Sequence, residues 1–330
     1  PFNDYSLNAV AARHGKFAHP VLEQDSIFST LAYGHLFNGK AYTDYMRSYA
    51  QAHGAVAIND PIASIQRRAD DGFIESVTLS GGETLGADLF LDCSGASAVL
   101  SGEQSAFEEW SKWLPANRVI SATASSAAPD PFSGITALDA CWHLRVPARN
   151  TVEHRLVYCR EYLDDDEARN VLLSCAGDET LSSFTVTDLR QGRRKSPWKG
   201  NCIALGAATG AIEPLGGTRL AMIQSSLLRL ASLFPDTDCN PLLEDEFNQL
   251  TGLESDHIRD FVLSHYLPGS RQDLPFWSHS GKTELPPTLD HKMQLFMAQG
   301  QVALYEEESF PDTTWVSACL GQGIWPTDYD

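Results

Sequence analysis

The residues best suited to chemistry lie in one stretch, Asn201 to Phe234, which reads NCIALGAATGAIEPLGGTRLAMIQSSLLRLASLF. Cys202, Ile203, Ala204 and Leu205 form an apolar run that suits a buried strand. A loop with Gly206, Gly210, Pro214, Gly216 and Gly217 follows. From Thr218 the apolar residues Leu220, Ile223, Leu227, Leu228, Leu230 and Phe234 fall at helical spacing. A strand, a glycine-rich loop and a helix place unpaired N–H groups at a partly positive helix end. Such an end suits an anion or the electron-rich edge of a flavin. Gly216 and Gly217 remove the Cβ atoms that would hold a flat ring off the backbone. The same pattern also serves a plain strand-to-helix turn with no ligand.

The elements that must position this loop are legible in chain order. Leu7–Lys16 reads as a short helix ended by Gly15, and Gly39–His53 as a second helix with Tyr42, Tyr45, Met46 and Tyr49 on one side. A strand near Val56 is expected, then strands over Pro61–Arg68, Phe73–Leu79 and Glu83–Leu91 with glycine turns between them. The last of these leads into Asp92, Cys93, Ser94 and Gly95. Phe107–Leu114 reads as a short amphipathic helix, and the chain from Arg118 to Tyr162 is β-rich. The acidic run Asp164–Glu167 suits the first turn of a helix, with a cation site as the alternative. Gly192–Lys195 (GRRK) is basic and reads as structural, or else as a phosphate contact. Beyond Phe234 the chain is helical through PLLEDEFNQLTGLESDHIRDFVLSHYL. A loop with Pro275, Phe276 and Trp277 follows, then a helix near Asp290–Gln299 and a closing loop GQGIWP.

Composition narrows the function classes. The 330 residues are 43% hydrophobic and 20% charged, enough for a large core and one or two domains. A formal net charge of -19 argues against nucleic acid and anionic membranes as partners. No apolar run reaches the roughly 18 residues of a membrane helix. Seven cysteines without C-x-x-C pairs read as reduced thiols of a cytoplasmic protein. The ten histidines lack metal-ligand spacing, so no metal is expected.

The run Gly206–Thr218 (GAATGAIEPLGGT) resembles the second flavin-binding segment of the flavin-dependent tryptophan halogenase family, whose pattern is G-L-A-x-G-F-x-E-P-L-E-S-T. The segments with DCSG, CWHLRVP, LDDDEA, IRDFVLSHYL, PFW and LGQGIWP follow that family's order over nearly the whole chain. The resemblance implies an α/β (α+β) fold of the FAD-dependent monooxygenase type, which binds two dinucleotides. It carries a β-sheet substrate region and a C-terminal helical region. It divides the chain into residues 1–235, the FAD-binding and substrate-sheet module, and 236–330, the helical substrate side. The family's N-terminal GxGxxG strand and helix, which bind the FAD pyrophosphate, are expected upstream of Pro1, so FAD affinity of these 330 residues alone is expected to be weak.

The resemblance also assigns residues. Asp92, Gly95, Gly206, Pro214, Leu215, Gly216, Gly217 and Thr218 fall at FAD-binding positions, and Thr218 and Arg219 at the halide position, where an arginine is unusual. Trp142, His265, Tyr266, Gln272, Phe276 and Trp277 fall at the substrate positions. The family's catalytic glutamate falls on Gly216, at the expected end of the tunnel, and Glu213 belongs to the preceding E-P-L. The family's lysine lies outside these residues. The second tryptophan of W-x-W-x-I-P has become Leu144. The implied activity is halogenation of an electron-rich aromatic, small or carrier-bound, from reduced FAD, O2 and chloride or bromide. A separate flavin reductase is the expected partner, and a homodimer is compatible. The changes at Gly216 and Leu144 keep direct hydroxylation open as the alternative. A non-catalytic flavin-fold protein is the reading if the chain is complete as numbered.

Overall fold

The computed structural model describes residues 2–21, 26–36, 38–102, 105–126, 130–267 and 271–328. Its centre is a short parallel pair. Phe90–Asp92 lies beside Cys202–Ala204 with Ile203 opposite Leu91, and Trp198–Lys199 adds an antiparallel third strand. Cys202, Ile203 and Ala204 are all buried, as a continuous apolar strand requires. Both parallel strands end at the same side, so the turn after Asp92 and the glycine loop after Leu205 meet there. Open parallel sheets bind ligands at such strand ends.

Three further sheets surround this pair. Ile62–Arg67, Ile74–Leu79 and Thr84–Leu85 form an antiparallel meander. The expected strand over Glu83–Leu91 therefore divides between two sheets. The residues around Val56 form no strand, and Val56 is exposed. Phe107–Glu109, Gly192–Arg194 and Gly210–Ala211 form a small sheet, so the helix expected at Phe107–Leu114 is instead a strand and a turn. Its aromatic residues Trp110 and Trp113 are buried, and pairing with Gly192–Arg194 outweighs the local helical spacing.

The largest sheet is antiparallel. Its strand order is Ser182–Asp188, Arg118–Ser125, Thr151–Tyr158, Cys141–Pro147 and Gly134–Ala137. Along Cys141–Pro147 the side chains alternate. Trp142 and Leu144 join the main core, while Cys141 faces the cluster under the helix Asp165–Ala176. That helix starts with a capping box between Asp164 and Glu167, which accounts for the acidic run.

The helices close the other side. The expected helix after the glycine loop spans Thr218–Ser232, but only part of its apolar stripe packs. Leu228 and Phe234 are 72% and 67% exposed, whereas Ser226, Arg229 and Leu230 are buried. Arg229 pairs with Glu254 of the long helix Pro241–Ser264 and with Glu307, and Ser225 also donates to Glu254. That polar contact selects the packed face. Helices at Pro275–Ser278, Pro287–Gln299 and Asp312–Gly321 follow. The first replaces an expected loop, and the last was not anticipated from spacing. The main core draws Trp110, Trp142 and Leu215 together with Ile258, Phe261 and Trp315. The seven cysteines are free thiols. No helix among the described residues is long and apolar enough to cross a membrane.

One carboxylate holds the turn at the parallel strand ends. Asp92 accepts from the backbone and hydroxyl of Ser94, the backbone N–H of Leu100, and the backbone and hydroxyl of Ser101. Burial raises its pKa, but the Ser94 and Ser101 bonds outweigh burial and hold it below the ordinary value. Its stabilisation is thus present above the unfolded value of about 3.9 and is lost as pH falls through the lower folded value. Asp92→Asn is expected to cost about 2 kcal/mol at neutral pH and to remove that component of acid sensitivity. Urea titrations of both proteins across the acid range check this.

Candidate active site

The glycine loop forms a wall with a space on each side. On one side a groove of 350 Å³ runs between loop residues, including Gly210, Ala211 and Pro214, and sheet residues including Val119, Ser121 and Arg155. On the other side a cavity of 390 Å³ is lined by Leu215 together with Trp142, His265, Tyr266, Gln272 and Trp277. Pro214 and Leu215 are adjacent in sequence yet face different spaces, so the wall between them is a single segment of chain.

Glu213 fixes that segment. Its side chain is 0% exposed. The indole N–H of Trp142 donates to Oε2 at 2.7 Å, the Tyr266 hydroxyl donates to the same oxygen at 2.6 Å, and the Gln191 amide donates to Oε1 at 2.7 Å. The Glu213 backbone N–H donates to Oε1 of Gln191 at 3.2 Å. Burial raises the pKa of Glu213 above the ordinary carboxyl range, against the three bonds that lower it. The sequence shows the E-P-L but not its partners, because Gln191, Trp142 and Tyr266 come from three distant segments.

The helix start has open donors. Gly217 is left-handed at φ 70° and provides no side-chain cap. Thr218 is 4% exposed, and its Oγ1 is buried without a hydrogen-bond partner. Arg219 is exposed and lines the 350 Å³ groove. A Cβ built on Gly217 would meet nothing within 4 Å, so space lies over the backbone there. An orphaned hydroxyl, uncapped N–H groups and an open groove fit an anion and a flat cofactor ring.

The other residues singled out from sequence divide clearly. Gly206 turns at φ 61° directly after the central strand, and Gly95 at φ 76° in the neighbouring turn, beside Ala96 of the groove wall. Asp92 does not face the groove, because its carboxylate is spent on its own turn. Five of the six expected substrate residues line the 390 Å³ cavity. Phe276 does not. It is 0% exposed and packs edge-on against Trp277 and Tyr162, so it is a core residue. Gly216 is also absent from the cavity wall. At φ 81° the left-handed backbone strains any larger residue there, and a Cβ would touch the Phe310 ring at 3.4 Å.

The basic run is structural. Arg193 forms two bonds of 2.9 Å with Asp256, and Arg194 donates to the carbonyls of Ala208, Gly102 and Ser105. Sequence reasoning missed Arg271 and Gln322, which also line the 390 Å³ cavity. The nearby Gln272 and the GQG of the closing loop were the available signals.

The fold and these two spaces define an FAD-dependent monooxygenase-like architecture, and comparison with known proteins agrees. A family model described as tryptophan halogenase matches residues 1–330, and the chain belongs to that family. The structure is similar to BrvH, a flavin-dependent halogenase from Brevundimonas sp. BAL3, with a TM-score of 0.94 and 34% identity over 100% of this chain and 68% of that one. A flavin-dependent halogenase from Xanthomonas campestris gives 0.90 and 33% over 99% and 66%. In sequence the chain is 25% identical to the tryptophan 6-halogenase SttH of Streptomyces toxytricini over 301 residues. That match covers 88% of this chain and 57% of SttH. The chain thus spans little more than half of that relative's length.

Glu213→Gln would turn an amide N–H toward groups that are themselves donors. A loss of about 1–3 kcal/mol is expected, with altered near-ultraviolet dichroism from Trp142 and Tyr266. Because burial raises the folded pKa, the wild type should lose stability as pH rises from about 4.3 through that value, and the variant should not. Denaturant titrations at several pH values check both.

Proposed function

We propose that this chain carries the catalytic region of an FAD-dependent halogenase acting on an electron-rich aromatic. The observation that carries the reading is the single Pro214–Leu215 wall between a 350 Å³ groove and a 390 Å³ aromatic cavity. Such a wall lets a small oxidised halogen species pass while the substrate stays apart from the cofactor. Reduced FAD, when bound, would activate O2, and the oxidising equivalents of O2 would convert halide into an electrophile. Gly217, with open space over its backbone, would leave room for the ring, with Pro214 in the groove wall and Gly206 and Gly95 turning the chain at the two strand ends. The Thr218 hydroxyl and the first N–H groups of its helix would hold the halide, and the exposed Arg219 would add a positive charge beside it. Trp142, Tyr266 and Trp277 would form an aromatic wall against which an indole or phenol could pack.

In this reading residues 1–235 form the flavin side and the substrate sheet, and residues 236–330 the helical substrate side, packed through one shared core. A separate flavin reductase would supply reduced FAD. His265, Gly321 and Gln322 border both the 390 Å³ cavity and a neighbouring groove of 880 Å³; a substrate bigger than a free amino acid, including a carrier-bound one, would extend into that groove. A homodimer and a cytoplasmic setting are compatible with the reading.

Product analysis tests it. The protein, reduced FAD, O2, bromide and a panel of indoles and phenols should give a brominated product. An oxygenated product without bromide incorporation would instead establish the hydroxylase alternative, which Leu144 in place of a second tryptophan favours. Gly217→Val puts a β-branched residue at a left-handed position, a strain of about 1–3 kcal/mol. In the complete protein its FAD affinity should fall about tenfold or more in a flavin titration, with the fold retained by far-ultraviolet dichroism.

A further inference from the structure

Electrophilic substitution on an aromatic ends with loss of a ring proton, so the reaction proposed above needs a proton acceptor at the substrate. No carboxylate lines the 390 Å³ cavity among the described residues. Glu213 lies behind the wall with both oxygens engaged by Trp142, Tyr266 and Gln191. Arg271 is a cation and accepts nothing. His265 remains.

The backbone sets the tautomer of His265. Its Nδ1 lies 2.9 Å from the carbonyl oxygen of Phe261. A carbonyl only accepts, so Nδ1 carries the hydrogen and Nε2 is a bare acceptor in the neutral ring. The Ser264 hydroxyl, 3.5 Å from Nδ1, donates its own hydrogen to the same carbonyl at 2.7 Å. The Phe261 ring stands edge-on to the imidazole at 4.9 Å between centroids and fixes its plane. Nε2 has no hydrogen-bond partner among the described residues, and the ring lines both the 390 Å³ cavity and the open 880 Å³ groove. Burial holds the His265 pKa below its ordinary value, so the ring is neutral and able to accept at neutral pH. The ionisable groups facing it across these spaces are Arg271, Tyr266 and Tyr5.

We propose that Nε2 of His265 takes the ring proton from an aromatic substrate bound in the 390 Å³ cavity. The inference rests on the halogenation reading. In the step, hypohalous acid delivers a halogen equivalent that bonds to a ring carbon, and its oxygen leaves as hydroxide. The C–H electron pair returns to the ring and the proton passes to Nε2. The imidazolium then yields that proton to water in the open groove, where it balances the hydroxide.

The test uses single turnovers with reduced FAD, O2, bromide and indole, comparing wild type with His265→Gln and His265→Ala. The expected result is a rate of product formation about 100-fold lower in both variants, with indole affinity changed less than twofold. A primary deuterium isotope effect at the reacting carbon should appear in the variants, and added imidazole should restore part of the His265→Ala rate. Nitrogen-15 NMR of the cofactor-free wild type should show the Nδ1–H tautomer, with the Nε2 signal moving when indole is added. Equal rates in wild type and His265→Gln, or an Nε2–H tautomer, would overturn the inference while leaving halogenation standing. A wild type that yields no halogenated product under any condition removes the halogenation reading and the inference with it.

Discussion

The buried carboxylate of Glu213 is the constraint on which the site depends. A fully enclosed carboxyl group is costly unless its oxygens are bonded. Here the bonds come from an indole on the large sheet, a phenol just beyond the long helix and an amide next to the basic strand. Satisfying one group therefore pins three segments to the glycine loop. The loop cannot shift without leaving donors and acceptor unpaired in a dry core. This is why the wall between the groove and the cavity can be one segment thick.

Ion pairs complete the frame around that wall. Arg193 on the strand beside Gly210–Ala211 grips Asp256, and Arg229 on the helix after the loop grips Glu254. Both acids sit on the long helix Pro241–Ser264, so the loop is tied to one rigid element at its entry and at its exit. The same helix ends at Ser264, next to His265 and Tyr266, which reach the cavity. Substrate-side and cofactor-side residues are thus held by a common support, which favours fixed geometry over adaptable loops.

The chemistry left at the cavity follows from which polar groups have been spent. Glu213 and Asp92 each serve structure, with pKa values moved in opposite directions because hydrogen bonds outweigh burial at Asp92 and burial outweighs them at Glu213. Arg193 and Arg194 are consumed by partners. Thr218 Oγ1 and His265 Nε2 remain unspent, one at the helix start and one in the substrate cavity. Unpartnered polar atoms at a helix start or on a cavity wall are where a ligand can be recognised.

The sequence by itself determined the local elements and the order of the motifs. The strand Cys202–Ala204, the helix starting at Thr218 and the cap at Asp164 were legible because each is set by nearest-neighbour spacing. The family followed from GAATGAIEPLGGT in its context, and five of the six substrate positions carried over onto one cavity. Only the tertiary structure decided which faces pack and which polar groups are used up. Leu227 and Leu228 carry a helical period yet lie outside, because Arg229 and Glu254 choose the buried face. Phe276 is core rather than wall, and Gly216 is left-handed beside the Phe310 ring. Glu213 reads as part of a loop motif until Gln191, Trp142 and Tyr266 are brought around it. Periodicity reports what one segment can do, whereas burial and pairing depend on residues tens to hundreds of positions away.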